Sequence, residues 1–359
     1  MPNDPIDLSA ARRALVIKLR HHGDVLLTSP VFSVLKAAAP HLEIDALVYH
    51  DTREMLSLNP DICELHTIDR GWKKLGVFGQ LRAESALLSR LRARRYDLVI
   101  TLTEHNRGAW LARLLKPRWS VGPSGPYGRF FKKSFSHRYL QVPGNRRHTI
   151  EIHLDALRRI GVYPAEDQRD LTLVPGANAE ETLRAKLAER GLASGRYILV
   201  HPTSRWSFKS WPADKMAALI DALTARGEQV VLSAAPSGEE LSMVADIEGR
   251  LARPVASLAG QLSLKELAAA IDQARLYIGV DSVPMHIASA MKTPCVALFG
   301  PSGDIEWGPW QVPHRIVTEP VACRPCGNAG CGGGWQSECL QRIPVDRVLA
   351  AVDALQKET

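Results

Sequence analysis

The sequence is 359 residues long, 45% hydrophobic and 23% charged, with a formal net charge of +7. This length exceeds what one ordinary hydrophobic core supports, and it predicts two domains of about 150–200 residues each. The composition is that of a globular protein and excludes extensive disorder, a collagen-like fibre and a small disulfide scaffold. No apolar run reaches the roughly 18–20 residues of a membrane span, and the N-terminal MPNDPIDLSAARR lacks a secretory h-region. We therefore expect a cytoplasmic protein.

The basic residues are concentrated in the first half of the chain. Residues 1–176 carry 27 Lys and Arg against 18 Asp and Glu, whereas the remainder carries 18 against 20. Between His105 and Arg147 there are ten basic residues and no acidic one. Such a one-sided field suits a polyanionic partner: a nucleic acid, an anionic membrane surface or a phosphorylated substrate. A merely solvated basic face is the alternative.

Strand-like and helix-like segments alternate through the first half, as is typical of parallel βαβ units. Apolar runs predict strands at residues 14–20, 43–49 and 96–102. Helix-like patterns occupy residues 30–39, 81–95 and 149–160. The stretch 122–144 is rich in Gly, Pro and Ser and predicts a long loop, and residues 164–178 predict a linker.

The second half repeats the same alternation. Strands are predicted at residues 197–202, 229–234, 276–282 and 294–300. Helices are predicted at residues 212–225, 239–251, 264–273, 283–291 and 345–356. The sequence thus indicates an α/β protein of two halves, with a ligand in the cleft between them at the carboxyl ends of the strands. Neither a dinucleotide-binding G-x-G-x-x-G after a strand nor a P-loop occurs, which disfavours dehydrogenases and P-loop NTPases.

Polar segments follow three of the predicted strands. In His21-His22-Gly23-Asp24 the glycine permits close backbone approach, and Asp24 is a candidate general base or cation ligand. An ordinary Gly-Asp turn is the alternative. The segment HPTSRWSFKSWP (residues 201–212) offers hydroxyls, an Arg and a Lys that suit a phosphate, although Ser210 and Trp211 also fit a helix cap and a core residue.

The third polar segment is GVDSVPMHIASAM, residues 279–291. A strand, then Asp-Ser, then a helix whose first N–H groups lack intrahelical partners makes an anion site. Alternatively, Asp281 or Ser282 only caps the helix. His286 lies one turn further along and is either structural or part of the anion site.

The sequence also contains six cysteines, which are candidates for metal binding or for structural roles. Cys63 and Cys295 are expected to be isolated buried thiols. The other four form C-x₂-C-x₄-C-x₇-C: Cys323, Cys326, Cys331 and Cys339. Four thiols so close together are chemically suited to Zn²⁺, but a second C-x₂-C pair is missing. A reduced structural cluster, or disulfides formed on purification, is therefore preferred over a zinc site.

These segments resemble the heptosyltransferases of glycosyltransferase family 9 over nearly the whole chain. The specific parts are KLRHHGDVLLTSPVFSVLK, HPTSRWSFKSWP and IGVDSVPMHIASAMKTPCVALFGPS. Within the family, HHGDVLLTSP followed by LVYHDT looks most like the third inner-core type. The resemblance implies a GT-B fold, in which two Rossmann-like domains face each other across a cleft.

The resemblance implies an N-terminal acceptor-binding domain (1–170), a linker (171–178) and a C-terminal domain (179–359) that binds the nucleotide sugar. The C-terminal helix is assigned to this second domain or packs back on the first. The reaction implied is an inverting transfer of L-glycero-D-manno-heptose from ADP-heptose to a heptose of the lipopolysaccharide core, with no metal or other cofactor. We then expect peripheral contact with the inner membrane at its cytoplasmic face, and no binding of nucleic acid.

The resemblance also carries site residues over to this chain. Asp24 matches the proposed catalytic base of the family. The donor-binding positions are Thr203, Ser204, Lys209, Glu239, Leu262, Asp281, Ser282, Val283 and His286. Lys209 contacts the donor phosphates, Glu239 the ribose, Leu262 the adenine and Asp281 the heptose hydroxyls. The chain has Val283-Pro284 where the first heptosyltransferase has Gly-Leu, and the loop before Lys209 is one residue longer. Acceptor-binding candidates in the basic half are His22, Arg129, Lys132 and Lys133.

Two alternatives remain open at this point. One is a related transferase that uses another nucleotide sugar. The other is a basic module that binds nucleic acid or a lipid surface, which would interleave aromatic and basic residues. The aromatic residues available in the basic stretch are Trp110, Trp119, Tyr127, Phe130, Phe131, Phe135 and Tyr139. No RNA- or DNA-binding motif accompanies them.

Overall fold

The computed structural model describes residues 5–141 and 146–359, and the chain divides into two compact units, Met1–Leu173 and Val174–Thr359. The unit boundary falls inside the predicted linker 171–178. The last two residues of that segment already lie in the first turn of helix Ala177–Ala188. Residues 142–144 of the loop predicted over 122–144 lie outside the described residues.

The first unit is built from strands that alternate with helices. Its strands are β1 (Arg13–Ile17), β2 (Glu43–Tyr49), β3 (Leu65–Ile68), β4 (Leu98–Thr101), β5 (Trp119–Ser124) and β6 (His137–Leu140). Its α-helices are α1 (His22–Leu26), α2 (Ser29–Ala38), α3 (Gly76–Arg94), α4 (Asn106–Leu115), α5 (Arg129–Lys132) and α6 (Thr149–Arg158). Short 3₁₀ helices occupy Leu8–Ala10, His50–Met55, Arg70–Lys74 and Glu166–Gln168.

The second unit has the same alternation. Its strands are β7 (Tyr197–His201), β8 (Gln229–Leu232), β9 (Ala256–Ser257), β10 (Leu276–Val280), β11 (Cys295–Leu298) and β12 (His314–Val317). Its α-helices are α7 (Ala177–Ala188), α8 (Ala213–Ala225), α9 (Gly238–Glu248), α10 (Leu264–Asp272), α11 (Val283–Ala290), α12 (Asp304–Trp307), α13 (Glu338–Gln341) and α14 (Val345–Gln356). The 3₁₀ helices are Ser207–Lys209 and Cys331–Gly333.

Both units contain a six-stranded sheet in which all paired strands are parallel. The strand order is β3-β2-β1-β4-β5-β6 in the first sheet and β12-β11-β10-β7-β8-β9 in the second. Each order is the doubly wound 3-2-1-4-5-6 arrangement, in which the chain reverses direction across the sheet beside its first strand. Doubly wound sheets bind their ligands at this reversal point, which lies at the carboxyl ends of β1 and β4 in one unit and of β7 and β10 in the other.

Helices on both faces explain why the central strands are continuous apolar runs. Every residue of β4, β7, β10 and β11 is buried. The predicted strands and helices around them are found, with ends shifted by a few residues. Among the described residues, no helix is long and apolar enough to cross a membrane.

One expectation about organisation needs correction. The predicted loop 122–144 holds the end of β5, α5 and β6, because His137 and Tyr139 alternate inward along a short strand paired with β5. The C-terminal helix α14 packs against β11, β12 and α8 of the second unit. Its apolar stripe, Val348, Leu349, Val352 and Leu355, is part of that unit's core.

Candidate functional site

Asp24 lies at the reversal point of the first sheet. β1 ends at Ile17, and the following loop leads into α1, whose first turn contains Asp24. The side chain of Asp24 is 21% exposed, so it reaches solvent while its backbone is packed. A carboxylate at this position can accept a proton from a ligand that binds above the strand ends.

A buried ammonium group lies beside this carboxylate. Lys18 directly follows β1, and its Nζ is 3.8 Å from Oδ1 of Asp24. Nζ also donates to the carbonyl oxygen of Leu102 at 3.2 Å and lies 2.9 Å from Nε2 of His153. Burial lowers the pKa of Lys18 to about 8, although the charge of Asp24 opposes this shift.

His153 of α6 completes the group as a neutral acceptor. Its Nδ1 lies 3.0 Å from the carbonyl oxygen of Leu27, which can only accept, so Nδ1 carries the proton and Nε2 accepts from Lys18. Burial, together with the nearby charge of Lys18, lowers the pKa of His153 well below its usual value. The Lys18–His153 pair thus holds one ammonium at a fixed position beside Asp24.

The acceptor-binding candidates lie on the same edge of the first sheet. His22, in the first turn of α1, has Nε2 2.8 Å from the carbonyl oxygen of Asp51. Arg129, Lys132 and Lys133 are exposed on and after α5, which follows the carboxyl end of β5. Within the described part of the chain these three cations form no ion pair, so their charge is available to an anionic ligand.

The aromatic residues of this region are mostly part of the core. Phe131, Phe135 and Tyr139 are buried, and the first two belong to the hydrophobic core of the first unit. Trp110 is 54% exposed and packs against Phe130 in a tilted arrangement with ring centroids 4.4 Å apart. The stretch therefore does not present the row of exposed rings on which a single-stranded nucleic acid stacks.

In the second unit, the loop after β7 is built on a buried polar network. Thr203 donates its hydroxyl to Oε2 of Glu240 at 2.6 Å, and Nε2 of His201 lies 3.3 Å from the same hydroxyl. Nδ1 of His201 is 3.0 Å from Oγ of Ser233, and burial lowers the pKa of His201 to about 4. The histidine is therefore neutral at physiological pH. This network fixes the start of the predicted phosphate-binding loop.

Lys209 and Asp281 meet at the reversal point of the second sheet. The Nζ of Lys209, at the end of a 3₁₀ turn, is 2.6 Å from Oδ2 of Asp281, which directly follows β10. α11 begins two residues after Asp281, so its N-terminal backbone N–H groups and positive dipole end lie beside this pair. Pro284 removes one N–H from the first turn, which leaves fewer donors for an anion. The contact between Lys209 and Asp281 brings together two of the three predicted polar segments, residues 201–212 and 279–291.

The other predicted donor residues take different positions. Ser282 is the N-cap of α11 and donates to the carbonyl oxygen of Val280 at 3.2 Å, and His286 is buried within α11. Ser204 and Leu262 are half-buried in loops, and Glu239 is exposed in the first turn of α9. The neighbour of Glu239, Glu240, is the buried one that binds Thr203. Thr203 was predicted, but its partners His201 and Glu240 were not.

The four clustered cysteines are free thiols, of which Cys339 is buried and the others exposed. Sulfurs around a tetrahedral Zn²⁺ lie about 3.8 Å apart, given a Zn–S distance of ~2.3 Å. Among the described residues, no three of these sulfurs come within 4.8 Å of one another. The geometry therefore favours the structural cluster over a zinc site. Cys63 is exposed rather than buried as expected, because it lies in the turn before β3.

A second polar cluster lies at the amino end of the first sheet. Three side chains have ligand atoms within 4.8 Å of one another: Asp45 of β2, Glu64 just before β3, and His66 of β3. Arg94 already supplies the cation: it binds Asp45 at 2.7 Å and Glu64 at 3.2 Å. Burial raises the pKa of Asp45, but hydrogen bonds from His66, Arg94 and Tyr96 outweigh it and lower that pKa to about 2. This cluster ties β2, β3 and α3 together, away from the carboxyl edge.

Comparison with known proteins decides the family. The model of glycosyltransferase family 9 (heptosyltransferase) matches residues 85–333. The chain belongs to glycosyltransferase family 9. It is 40% identical to lipopolysaccharide heptosyltransferase 3 of Escherichia coli K12 over 297 residues, covering 81% of this chain and 83% of that protein. The predicted family and the predicted glycosyltransferase activity are confirmed. The alternative of a basic module that only binds nucleic acid or a lipid surface is therefore dropped.

Solved structures of family 9 members share the fold. The family 9 glycosyltransferase of Veillonella parvula is 24% identical, with a TM-score of 0.83 over 97% of this chain and 98% of that one. The ADP-heptose lipopolysaccharide heptosyltransferase II of E. coli is 21% identical, with a TM-score of 0.75 over 97% of this chain and 100% of that one. The predicted fold class, two Rossmann-like domains of the GT-B type, is confirmed.

Proposed function

We propose that this family 9 enzyme transfers L-glycero-D-manno-heptose from ADP-heptose to a heptose of the lipopolysaccharide inner core, with inversion. The observation that carries the proposal is the Lys209–Asp281 ion pair at the N terminus of α11. This pair brings a cation, a carboxylate and a helix dipole close together, and a diphosphate sugar requires this combination of groups. The 40% identity to a lipopolysaccharide heptosyltransferase 3 supports the acceptor and the third inner-core type.

On the donor side, the growing negative charge is on the departing ADP. Lys209 and the first turn of α11 stabilise that charge, which is the role a metal ion takes in other transferases. Asp281 binds the heptose hydroxyls, and its hydrogen bond from Lys209 fixes the positions of both side chains. The remaining assignments follow the family resemblance: Thr203 and Ser204 with Ser282, Val283 and His286 at the phosphates, Glu239 at the ribose and Leu262 at the adenine.

On the acceptor side, Asp24 takes the proton from the attacking hydroxyl. The acceptor oxygen forms a bond to the anomeric carbon as the bond from that carbon to the β-phosphate oxygen breaks, and the electron pair leaves with ADP. Attack from the face opposite ADP inverts the configuration. Lys18, held by His153 and the carbonyl of Leu102, fixes the position of the Asp24 carboxylate. His22, Arg129, Lys132 and Lys133 bind the phosphorylated core sugar.

The acceptor is anchored in a membrane, so the enzyme works at the cytoplasmic face of the inner membrane as a peripheral protein. The exposed cations of α5 support this placement, because each Lys or Arg near an anionic surface contributes about 1 kcal/mol. The reaction needs no cofactor beyond the donor itself.

A donor screen tests the proposal and its alternative. Purified enzyme and heptosylated core acceptor are incubated with ADP-heptose or with other nucleotide sugars, and release of the nucleoside diphosphate is measured. We expect acceptor-dependent release of ADP from ADP-heptose only. Faster release from another nucleotide sugar would assign the chain to the related transferase instead.

A further inference from the structure

An exposed group of apolar side chains lies at the start of α3. It consists of Leu75, Val77, Phe78 and Leu81, here called the apolar tip. Their exposed fractions are 56%, 72%, 89% and 60%. Single exposed apolar residues are ordinary, but four within seven positions form a patch, and such patches mark interaction surfaces. Burial in the core does not explain this group, so a partner is expected to cover it.

Cations flank the apolar tip on both sides. Lys73, Lys74 and Arg82 are exposed, and none of them forms an ion pair within the described part of the chain. Between Asp69 and Glu84 the sequence contains no acidic residue. An apolar centre with basic flanks is the pattern by which proteins bind the interface of an anionic bilayer. An apolar protein partner would not require these cations.

The apolar tip is joined to the loop that carries Asp24. The chain leaves the carboxyl end of β3 and enters α3, so the tip lies on the carboxyl edge of the first sheet. Arg70, just before the tip, donates to Oδ2 of Asp51 at 2.7 Å and to the carbonyl oxygen of Arg20 at 3.1 Å. Arg20 is four positions before Asp24, and His22 contacts the carbonyl oxygen of Asp51 at 2.8 Å.

We propose that the apolar tip inserts into the headgroup region of an anionic phospholipid bilayer, with Lys73, Lys74 and Arg82 at the lipid phosphates. This inference rests on the proposed function, because a glycolipid acceptor presents its sugars at the bilayer surface. A membrane contact on the edge that carries Asp24 brings those sugars to the carboxylate. The tip therefore determines where the enzyme meets its acceptor, whereas Arg129, Lys132 and Lys133 bind the acceptor itself.

Vesicle binding tests the surface without relying on catalysis. The full-length protein is mixed with phosphatidylglycerol–phosphatidylcholine vesicles or with phosphatidylcholine vesicles, and the bound fraction is measured by sedimentation. We expect Val77→Ser/Phe78→Ser to weaken binding to the anionic vesicles by about tenfold. The matched control is Tyr163→Ser, which removes a 77% exposed ring near the opposite edge and should change binding less than twofold. Lys73→Gln/Lys74→Gln should weaken binding by about fivefold per cation at low salt.

Activity separates this inference from the proposed function. With an acceptor freed of its acyl chains, the Val77→Ser/Phe78→Ser variant should turn over at the wild-type rate; with the same acceptor embedded in vesicles, its rate should fall. If the Val77→Ser/Phe78→Ser variant binds anionic vesicles as tightly as the wild type, the inference is overturned, even if the wild-type enzyme transfers heptose. If the wild-type protein is a dimer and the variant is a monomer, the apolar tip is a self-association surface and the inference is also overturned. If the wild-type enzyme binds vesicles but transfers no heptose, the proposed function fails and the membrane surface stands.

Discussion

The carboxylate of Asp24 is the one group in the first unit that we assign to proton transfer. Asp24→Asn keeps the shape and the hydrogen bonds of the side chain but removes the proton acceptor. We expect kcat to fall by roughly 10²–10⁴, with the KM for ADP-heptose little changed, because the donor contacts lie in the second unit. Steady-state kinetics with both substrates varied measure this. Turnover close to that of the wild type would remove Asp24 from its role.

Lys18 makes the reaction sensitive to alkaline pH. Its pKa is lowered to about 8, so the ammonium is charged below pH 8 and loses its proton as pH rises through that value. The contact with Asp24 is lost with the charge, and we expect kcat to fall above about pH 8. Lys18→Met should lower kcat and abolish this alkaline limb. Lys36→Met, which removes a lysine on α2, is the control and should retain the wild-type pH profile. An alkaline limb that persists in Lys18→Met contradicts the assignment.

Sequence reasoning proposed Asp24, Lys209 and Asp281 because each belongs to a short polar segment that follows a strand. It did not find Lys18, His153 or Glu240. Lys18 lies in the apolar run 14–20, whose pattern predicts a strand over its whole length. In the structure β1 ends at Ile17, and the side chain of Lys18 lies beside Asp24. His153 lies 135 positions further along the chain, and only the folded sheet brings the two together.

Among the elements, α5 is expected to serve the acceptor and not the donor. Neutralising Arg129, Lys132 and Lys133 to Gln should raise the KM for the acceptor and flatten its salt dependence, since exposed charges act within a Debye length of about 8–10 Å. The KM for ADP-heptose should stay nearly unchanged. The matched control neutralises three exposed cations of the second unit, Arg184, Arg253 and Lys357, and should leave both values as they are. An equal loss of donor affinity in the α5 variant would contradict the division of substrates between the two units.

The cysteine segment around the Cys331–Gly333 turn is expected to be metal-free. Its sulfurs do not converge in the way that a tetrahedral ion requires. Elemental analysis of the purified enzyme should therefore find less than stoichiometric zinc, and a chelator should leave activity intact. One zinc per chain, lost together with activity on chelation, would reverse this interpretation.

The elements that were predicted well are those buried on both sides. β7 and β10 are nearly continuous apolar runs, and α14 shows a clean amphipathic stripe, so pattern alone locates them. β5 and β6 were missed because they are short and lie near the sheet edge, and because β5 contains Gly122 and Pro123, which read as loop residues. Their strand character comes from pairing with a neighbour, which a local pattern does not contain.

At the scale of the whole molecule, the sequence shows two successive α/β halves, and the structure shows that both have the same strand order. That repetition explains why the candidate residues fall where they do. Asp24 follows the first strand of one sheet, and Lys209 and Asp281 follow the two strands at the reversal point of the other. Strand order depends on long-range pairing, so it could not be predicted from periodicity, although the family resemblance implied it.

Analysis of the reaction product tests the central claim most directly. The enzyme, ADP-heptose and a heptosylated core acceptor are incubated, and the product is examined by mass spectrometry and by NMR of its new anomeric centre, beside an Asp24→Asn sample. The account predicts an acceptor that has gained one heptosyl residue with inverted configuration, formed far more slowly by the variant. Retained configuration, or hydrolysis of the donor without any heptosylated product, would contradict it.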